Sequence, residues 1–449
     1  MAWWRKDPVS AWLVVLIAIS LYKAYTVFFP ARAQAEVIAA PEIEHHLHSH
    51  WSALGRNGPA PVKYKFDMGL VKPFLQCTNN KRTSLGGEAV TLEPHTIFPV
   101  EVKSLEHPVT YNPSIIALPG SSHFPFLVVS RVKTGTELQQ TTLICEGKFD
   151  PYLGGISCGT HPRELVVPQT PAKACKTKFL AEIPGFHDAR LFWSHQGAPL
   201  MIMNQQSRYG CFGLWVIDLR SVYPSLQYQL DRSLLNRFPT VTELTRAEWR
   251  SEMEKNYLVF YDHTDGTEYV QYGLGHGHRH FAKLLGNGLT STNMTSPAEK
   301  TCLLRPATWH QATNAIKVVL CKRGECVPGP DNTVYVSLMH NKVALADGKI
   351  TYQRYVAMWR TVAPFEMVAF GDRALRFRNE HQWEDKYSHD LIGKFVYTVS
   401  LAWVKNMGRY EGYLDESVII GLGVGDRGSG AVIMPVEDML TCMHSCKNA

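Results

Sequence analysis

From about residue 61 onward the chain is an almost unbroken succession of short β-type runs, and that succession limits its fold more than any other feature. The runs are Phe124–Val132, Pro199–Gln205, Phe212–Leu219, Tyr257–Tyr261, Ala315–Cys321, Thr333–Met339, Tyr352–Arg360, Phe395–Val404, Val418–Gly425 and Ala431–Met434. They are rich in Val, Ile, Tyr, Phe and Trp, which suit a pleated and buried surface, and are bounded by Gly, Pro and Asn, which supply turns. Long amphipathic helical patterns are few, Val241–Lys255 being the best. Helices do not alternate with strands, so a nucleotide-binding α/β sheet is disfavoured and the expected class is all-β.

That expectation decides one tempting motif. Gly423-Val-Gly425-Asp-Arg-Gly428 matches the dinucleotide fingerprint and follows a strand. The next residues, Ser-Gly-Ala-Val-Ile-Met, form another strand rather than the helix whose N-terminus must hold a pyrophosphate. The motif is read as a hairpin turn.

The 449 residues leave ample core for one large domain. A net charge of +6 with no Lys/Arg block excludes nucleic acid as an expected partner and remains compatible with a phosphate-bearing ligand.

Arg5 and Lys6 precede an apolar run from Ala11 to Phe29, close to the about 20 residues a spanning helix needs. Lys23 lies near its far end, where it can snorkel. Basic residues on the N-terminal side favour a type II orientation, with a cytoplasmic tail over 1–10, a signal-anchor over 11–29, a stem over 30–60 and a luminal domain over 61–449. The alternative is a signal peptide cleaved near Ala31-Arg-Ala33. Either places the domain in the secretory pathway. His45, His46, His48 and His50 in the stem are read as incidental rather than metal-binding.

Ten cysteines (77, 145, 158, 175, 211, 302, 321, 326, 442 and 446) without a CxxC pair point to disulfides rather than zinc. Cys321–Cys326 and Cys442–Cys446 are expected to be short loops closed by, or tied into, disulfides. Asn293-Met-Thr295 is the one usable glycosylation sequon, since Asn112-Pro-Ser is blocked by proline.

The recurring strand groups are read as five propeller blades, roughly 109–186, 187–250, 251–308, 309–392 and 393–441. Each opens near a polar or turn-rich motif: Tyr111-Asn-Pro-Ser, His187-Asp-Ala-Arg, Lys255-Asn-Tyr, His310-Gln-Ala-Thr-Asn314 and Tyr410-Glu-Gly-Tyr-Leu-Asp415. In such a fold these motifs converge at one funnel mouth. Within an extended His187-Asp188-Ala189-Arg190, side chains at i and i+2 share a face, so Asp188 and Arg190 are expected to meet one polar ligand.

Asn112-Pro-Ser-Ile, Phe126-Leu-Val-Val-Ser-Arg131, Asp188-x-Arg190, Lys255-Asn256, Tyr335-x-x-x-x-His340 and Leu414-Asp-Glu-Ser-Val-Ile-Ile-Gly-Leu-Gly-Val-Gly-Asp426 occur in one order. Over about residues 90–441 that order resembles the five-bladed β-propellers of the mannoside phosphorylases and hydrolases of glycoside hydrolase family 130. It also resembles the related fungal β-1,2-mannosyltransferases, which are membrane-anchored secretory enzymes. Where the family carries Glu-Asp-Pro-Arg, this chain has His187-Asp188-Ala189-Arg190, which keeps the Asp and Arg and argues for a variant chemistry.

Inverting hydrolysis needs two carboxylates flanking a water. Transfer to or from phosphate needs one proton-transfer carboxylate together with cationic donors for the phosphate oxygens. Asp188 is the candidate carboxylate, a proton donor in phosphorolysis or a base on an acceptor hydroxyl in transfer. By the resemblance, Arg131, Arg190, Lys255 and His340 form the phosphate clamp, while Asn112, His310 and Asp426 bind sugar hydroxyls. In Gly275-His-Gly-His-Arg279-His280, a loop lining the funnel is preferred to a metal site, and Arg279 and His280 are placed within reach of a donor diphosphate. Trp193, Trp215, Trp309 and Trp359 are candidates for sugar stacking or for packing between blades.

No Asp-x-Asp occurs, so a metal-independent donor site with no cofactor is expected. The leading reading is a Golgi or other secretory-pathway β-1,2-type mannosyltransferase, inverting, with a sugar-phosphate or nucleotide-sugar donor and a mannose-containing glycan acceptor. The alternatives are a phosphorylase or hydrolase of the same fold, and a non-catalytic glycan-binding propeller.

Overall fold

The computed structural model describes residues 64–446 apart from 78–80, 83–87, 133–140, 171–174, 178–184, 231–236, 249, 274–278, 296–308, 389–392 and 406–410. The expected tail, signal-anchor and stem, with the stem histidines, lie outside the described residues, as do residues 275–278 of the histidine-rich loop. Among the described residues no helix is long and apolar enough to cross a membrane.

The chain is mostly β, as expected. Strands β1 (Lys81–Arg82), β2 (Glu88–Leu92) and β3 (Phe98–Glu101) come before the first antiparallel run. That run is β4 (Thr110–Ala117), β5 (Phe126–Val132), β6 (Thr142–Asp150) and β7 (Gly155–Cys158), with β8 (Arg163–Glu164) on β6. The second is β9 (His187–Trp193), β10 (Pro199–Gln206), β11 (Phe212–Asp218) and β12 (Thr242–Leu244). The third is β13 (Leu258–Tyr261), β14 (Glu268–Gly273) and β15 (His280–Lys283). In the fourth, β16 (Trp309–Gln311) and β17 (Ile316–Val319) both pair with β18 (Thr333–Ala344), followed by β19 (Ile350–Arg360), β20 (Met367–Gly371) and β21 (Ala374–Phe377). The last run starts at β22 (Val396–Trp403). After it, β23 (Glu411–Tyr413) turns aside to pair with β17, while β24 (Ser417–Val424) and β25 (Gly428–Pro435) complete the run and β26 (Met443–Ser445) joins β20.

Many of these strands are buried on both faces, every residue of β11 and the first eight of β18 among them. This explains why the sequence shows continuous apolar runs rather than strict alternation. The cores lie between successive runs. Leu191, Met201 and Trp215 pack with Ile115 and Val128, whereas Phe192, Leu200 and Val216 pack with Val259 and Val270. Leu258 and Phe260 then pack with Tyr335 and Trp359, and Val334 and Val336 with Ile420 and Val432. Ile419 and Ala431 return to the core of the first run.

Polar side chains tie the runs together. The amide of Ile115 donates to Ser400 Oγ at 3.0 Å and that of Leu191 to Ser114 Oγ at 2.8 Å. Asn314 Nδ2 donates to the Leu401 carbonyl at 3.0 Å, and Asn204 Nδ2 to that of Glu254 at 2.7 Å. A strand from before the first run finishes the last: β3 pairs antiparallel with β25, Phe98 opposite Ala431, and parallel with β7. Cys77–Cys442, 365 residues apart in sequence, adds a covalent link between the two ends of this body. Cys145–Cys158, Cys175–Cys211 and Cys321–Cys326 are also bonded, the last closing the short loop expected.

One expectation is corrected. Val241–Lys255 is not a helix, because Glu243 and Leu244 pair with Trp215 and Leu214 as β12 and none of its other described residues is helical. A sheet edge overrides the local helical spacing. The Gly423–Gly428 motif is the hairpin turn between β24 and β25.

Candidate active site

The leading strands are deformed where they begin. The β4–β5 register slips between Tyr111 and Ser114, and the β9–β10 register slips opposite Arg190 and His187. Asn112 and Asp188 take left-handed backbone there, with φ of 54° and 51°. Asn256, just before β13, and Asp426, in the β24–β25 turn, do the same at 62° and 51°. Asn and Asp tolerate this region better than other side-chain-bearing residues, and a bulge re-aims a side chain away from the regular alternation.

The four residues converge around Tyr397 on β22. Asn112 Nδ2 donates to Asp426 Oδ1 at 3.3 Å. Arg190 Nη2 donates to Asn256 Oδ1 at 2.7 Å and to the Tyr397 hydroxyl at 3.4 Å, and that hydroxyl donates to Asn256 Oδ1 at 3.4 Å. Burial pushes the Tyr397 phenol up to about 12, eased by Arg190 and reinforced by Asp188 and Asp426, so it stays protonated at neutral pH.

Asp188 is the centre of charge. Its side chain is 34% exposed, and Arg131 Nη1 approaches its Oδ1 at 3.7 Å. Among the described residues the carboxylate accepts no hydrogen bond. Burial alone would raise its pKa, but the charges of Lys255, Arg131, His187 and Arg190 outweigh that and hold it below the ordinary carboxylate value. Next to it, burial drives His187 down to about 4, with Arg131 and Lys255 adding to the shift and Asp188 opposing it, so the imidazole is neutral at pH 7. Its ring meets Phe212 edge-on at 5.3 Å, and Lys255 Nζ lies 5.9 Å from the same ring.

Three buried polar atoms of this group of residues, Asn112 Oδ1, Arg131 Nε and His187 Nε2, have no partner among the described residues. Buried polar atoms are ordinarily satisfied, so a cluster of unmet ones marks a place for a polar ligand. An ionised carboxylate, an exposed lysine, two arginines and unmet polar atoms, the Arg131 Nε donor among them, can together hold an anion and take a proton.

Asp188, Arg190, Arg131, Lys255, Asn112 and Asp426 are therefore brought together. The route differs from the i, i+2 rule, since the bulge and the left-handed Asp188 set its direction. Arg190 is only 4% exposed, held by Asn256 and Tyr397 at the edge of the site. His310 stacks on Tyr397 at 6.1 Å and 17° and faces His340 across the β16–β18 pair. His340 is fully buried, its Nε2 engaged with Thr398, and burial lowers its pKa well below the usual imidazole value. It supports Tyr397, whose ring lies 4.6 Å away, and is too enclosed to clamp a phosphate directly.

Arg279 is likewise corrected. It is 1% exposed, with its Nε on Gln271 Oε1 and its Nη1 on the Phe365 carbonyl, so it does not present donors to an open cleft. His280 is half-buried at the start of β15, opposite Gly273. Trp215, Trp309 and Trp359 are buried in the cores, and Trp193 donates to the Ala117 carbonyl at 3.1 Å, so all four are packing residues. Asn293 is exposed in its sequon, its Oδ1 accepting from the Thr295 amide. Tyr397 and Tyr352, whose rings are 5.0 Å apart, complete the site without any signal in the sequence beyond ordinary strand aromatics. Among the described residues no group of His, Cys, Asp or Glu could hold a metal ion.

No protein-family model and no curated protein matches the chain. Solved structures do. A glycosyl hydrolase from Bacteroides ovatus is 14% identical, covers 81% of this chain and 94% of its own, and has a TM-score of 0.41. The β-1,2-mannobiose phosphorylase of Listeria innocua is 12% identical over 77% of this chain and 95% of its own, with a TM-score of 0.42. A GDP-Man-dependent mannosyltransferase from Leishmania mexicana is 9% identical over 76% and 90%, also with a TM-score of 0.42. These are mannoside- and glycan-active enzymes of the kind the ordered motifs resemble.

Proposed function

We propose that this chain is a five-bladed β-propeller glycosyltransferase. In this reading it moves mannose, with inversion and without a metal, from a phosphate-activated donor to a mannose-containing glycan. The observation that carries the proposal is the state of Asp188, an ionised carboxylate that accepts no hydrogen bond among the described residues and is flanked by Arg131, Lys255 and Arg190. In the transfer step an acceptor hydroxyl oxygen bonds to the anomeric carbon and its proton passes to Asp188. The carbon–oxygen bond to phosphate breaks, and its electron pair leaves on the phosphate, where the cations stabilise the charge. The base must start ionised, and a depressed pKa provides that. Phosphorolysis and hydrolysis instead need an acid that starts protonated. Asp426, the other carboxylate near Tyr397, takes a hydrogen bond from Asn112 and is assigned to sugar hydroxyls.

The series of runs, each packed on the next and closed by β3, supports the propeller reading, and the ordered motifs support the mannoside class and the β-1,2 linkage. Disulfides, the apolar run 11–29 and the preceding Arg5 and Lys6 support a type II membrane protein of the Golgi or another secretory compartment.

Incubation of the purified protein with GDP-mannose or mannose-1-phosphate and mannose oligosaccharides tests this. Chain extension with inverted stereochemistry is expected. Phosphate-dependent release of mannose-1-phosphate from a mannoside would instead identify a phosphorylase, and oligosaccharide binding without turnover a glycan-binding propeller.

A further inference from the structure

Three buried side chains outside the Asp188 cluster form a one-way chain of hydrogen bonds that ends on it. Arg279 donates from Nε to Gln271 Oε1. Gln271 Nε2 donates to Gln311 Oε1 at 2.8 Å. Gln311 Nε2 donates to the carbonyls of Asn256 at 2.7 Å and Gln271 at 2.9 Å. Asn256 in turn holds Arg190 through its side-chain oxygen at 2.7 Å. Both glutamines are fully buried.

The direction of this chain is fixed by chemistry. A guanidinium has no acceptor, so Gln271 must turn its oxygen to Arg279. Its nitrogen then faces Gln311, which must offer oxygen, leaving the Gln311 nitrogen for two carbonyls that can only accept. Flipping either amide would set acceptor against acceptor. Arg279 cannot swing away, because it also donates to the Phe365 carbonyl and lies against Phe281 and Trp359 at 4.7 and 5.0 Å. At the other end, Asn256 sits at φ 62°, a left-handed conformation that Asn tolerates and that the Gln311 bond to its carbonyl helps to hold.

We propose that Arg279, Gln271 and Gln311 are positioning residues for Arg190: through Asn256 they fix the guanidinium that meets the donor phosphate. The inference rests on the transferase reading above. It gives Arg279 a part in donor binding exerted at a distance instead of by contact.

Gln271→Glu is the sharpest test. The substituted carboxylate keeps the size and the bond to Arg279 but presents a second acceptor, so Gln311 must reverse and lose its hold on the Asn256 carbonyl. Affinity for inorganic phosphate and for GDP is expected to fall roughly ten- to hundredfold, the scale of a misplaced binding group. Affinity for mannose oligosaccharide should stay within twofold, and amide exchange over residues 255–258 of the unliganded protein should quicken. Gln311→Met should do the same, and neither should add to the loss already caused by Arg190→Lys. Equal loss of phosphate and oligosaccharide affinity, or losses additive with Arg190→Lys, would overturn the proposal as mere destabilisation. Unchanged exchange at 255–258 in both variants overturns the relay itself. A wild-type protein that binds neither phosphate nor GDP overturns the transferase reading on which the role of Arg190 depends.

Discussion

Arg131 Nη1 lies 3.7 Å from Asp188 Oδ1, close enough for Coulomb attraction and too far for a hydrogen bond. The carboxylate is thus stabilised as an anion while its lone pairs stay open to a substrate proton. Asp188→Asn keeps the size and removes only the base. Turnover should fall about 10²–10⁴-fold, while GDP binds at least as tightly because a negative charge among cations is gone. Initial rates and a GDP titration check this; unchanged turnover would move the base elsewhere.

Because the Asp188 pKa lies below its ordinary value, the acid limb of kcat/KM should lie on the acid side of the usual aspartate range. A limb near pH 6 to 7 would assign the proton transfer to another group.

His187 makes a prediction about stability. Its pKa drops from 6.5 to about 4 on folding, so as pH falls between those values the unfolded chain gains a proton there and the folded chain does not. Stability from this residue is full above 6.5 and declines towards pH 4, by about 3 kcal/mol at most. The buried His340 adds to the same slope. Urea titrations at pH 7.5 and 4.5 should show a smaller difference for His187→Gln than for the wild type.

Arg190→Lys keeps the charge but replaces the planar guanidinium, whose Nη2 donates to both Asn256 and Tyr397, with a compact ammonium on a shorter reach. Donor KM should rise about tenfold with acceptor KM unchanged. A matching rise in both would make Arg190 structural.

Cys77→Ser opens the link to Cys442 across 365 residues. Unfolding free energy should drop by about 2–5 kcal/mol, with activity per folded molecule retained. Chemical denaturation alongside an assay at low temperature separates the two.

The strands were legible because burial on both faces demands continuous Val, Ile and aromatic runs, as in β11 and β18. The pairing of Asp188 with Arg190 was legible as well, though for another reason than the one that operates: a bulge at β9 replaces simple alternation. Burial was not legible. Arg279 and His340 resemble surface cations in sequence, and only their distant neighbours, Phe365 and Thr398, show that they are enclosed. Tyr397 was missed for the converse reason, because an aromatic residue in a strand is ordinarily core. Val241–Lys255 failed where Leu214 and Trp215 recruit its first residues to a sheet edge.

The pairing of Phe98 with Ala431 also orders events at the ribosome. β3 emerges early yet lacks its β25 partner until Ala431, 333 residues after Phe98, has been made, so the sheets can assemble one after another but the closing one must wait for β25. Contacts so distant in sequence form slowly. During that interval the edge of β3 that β25 will take stays unpaired, and it is there that a chaperone would find its longest opportunity.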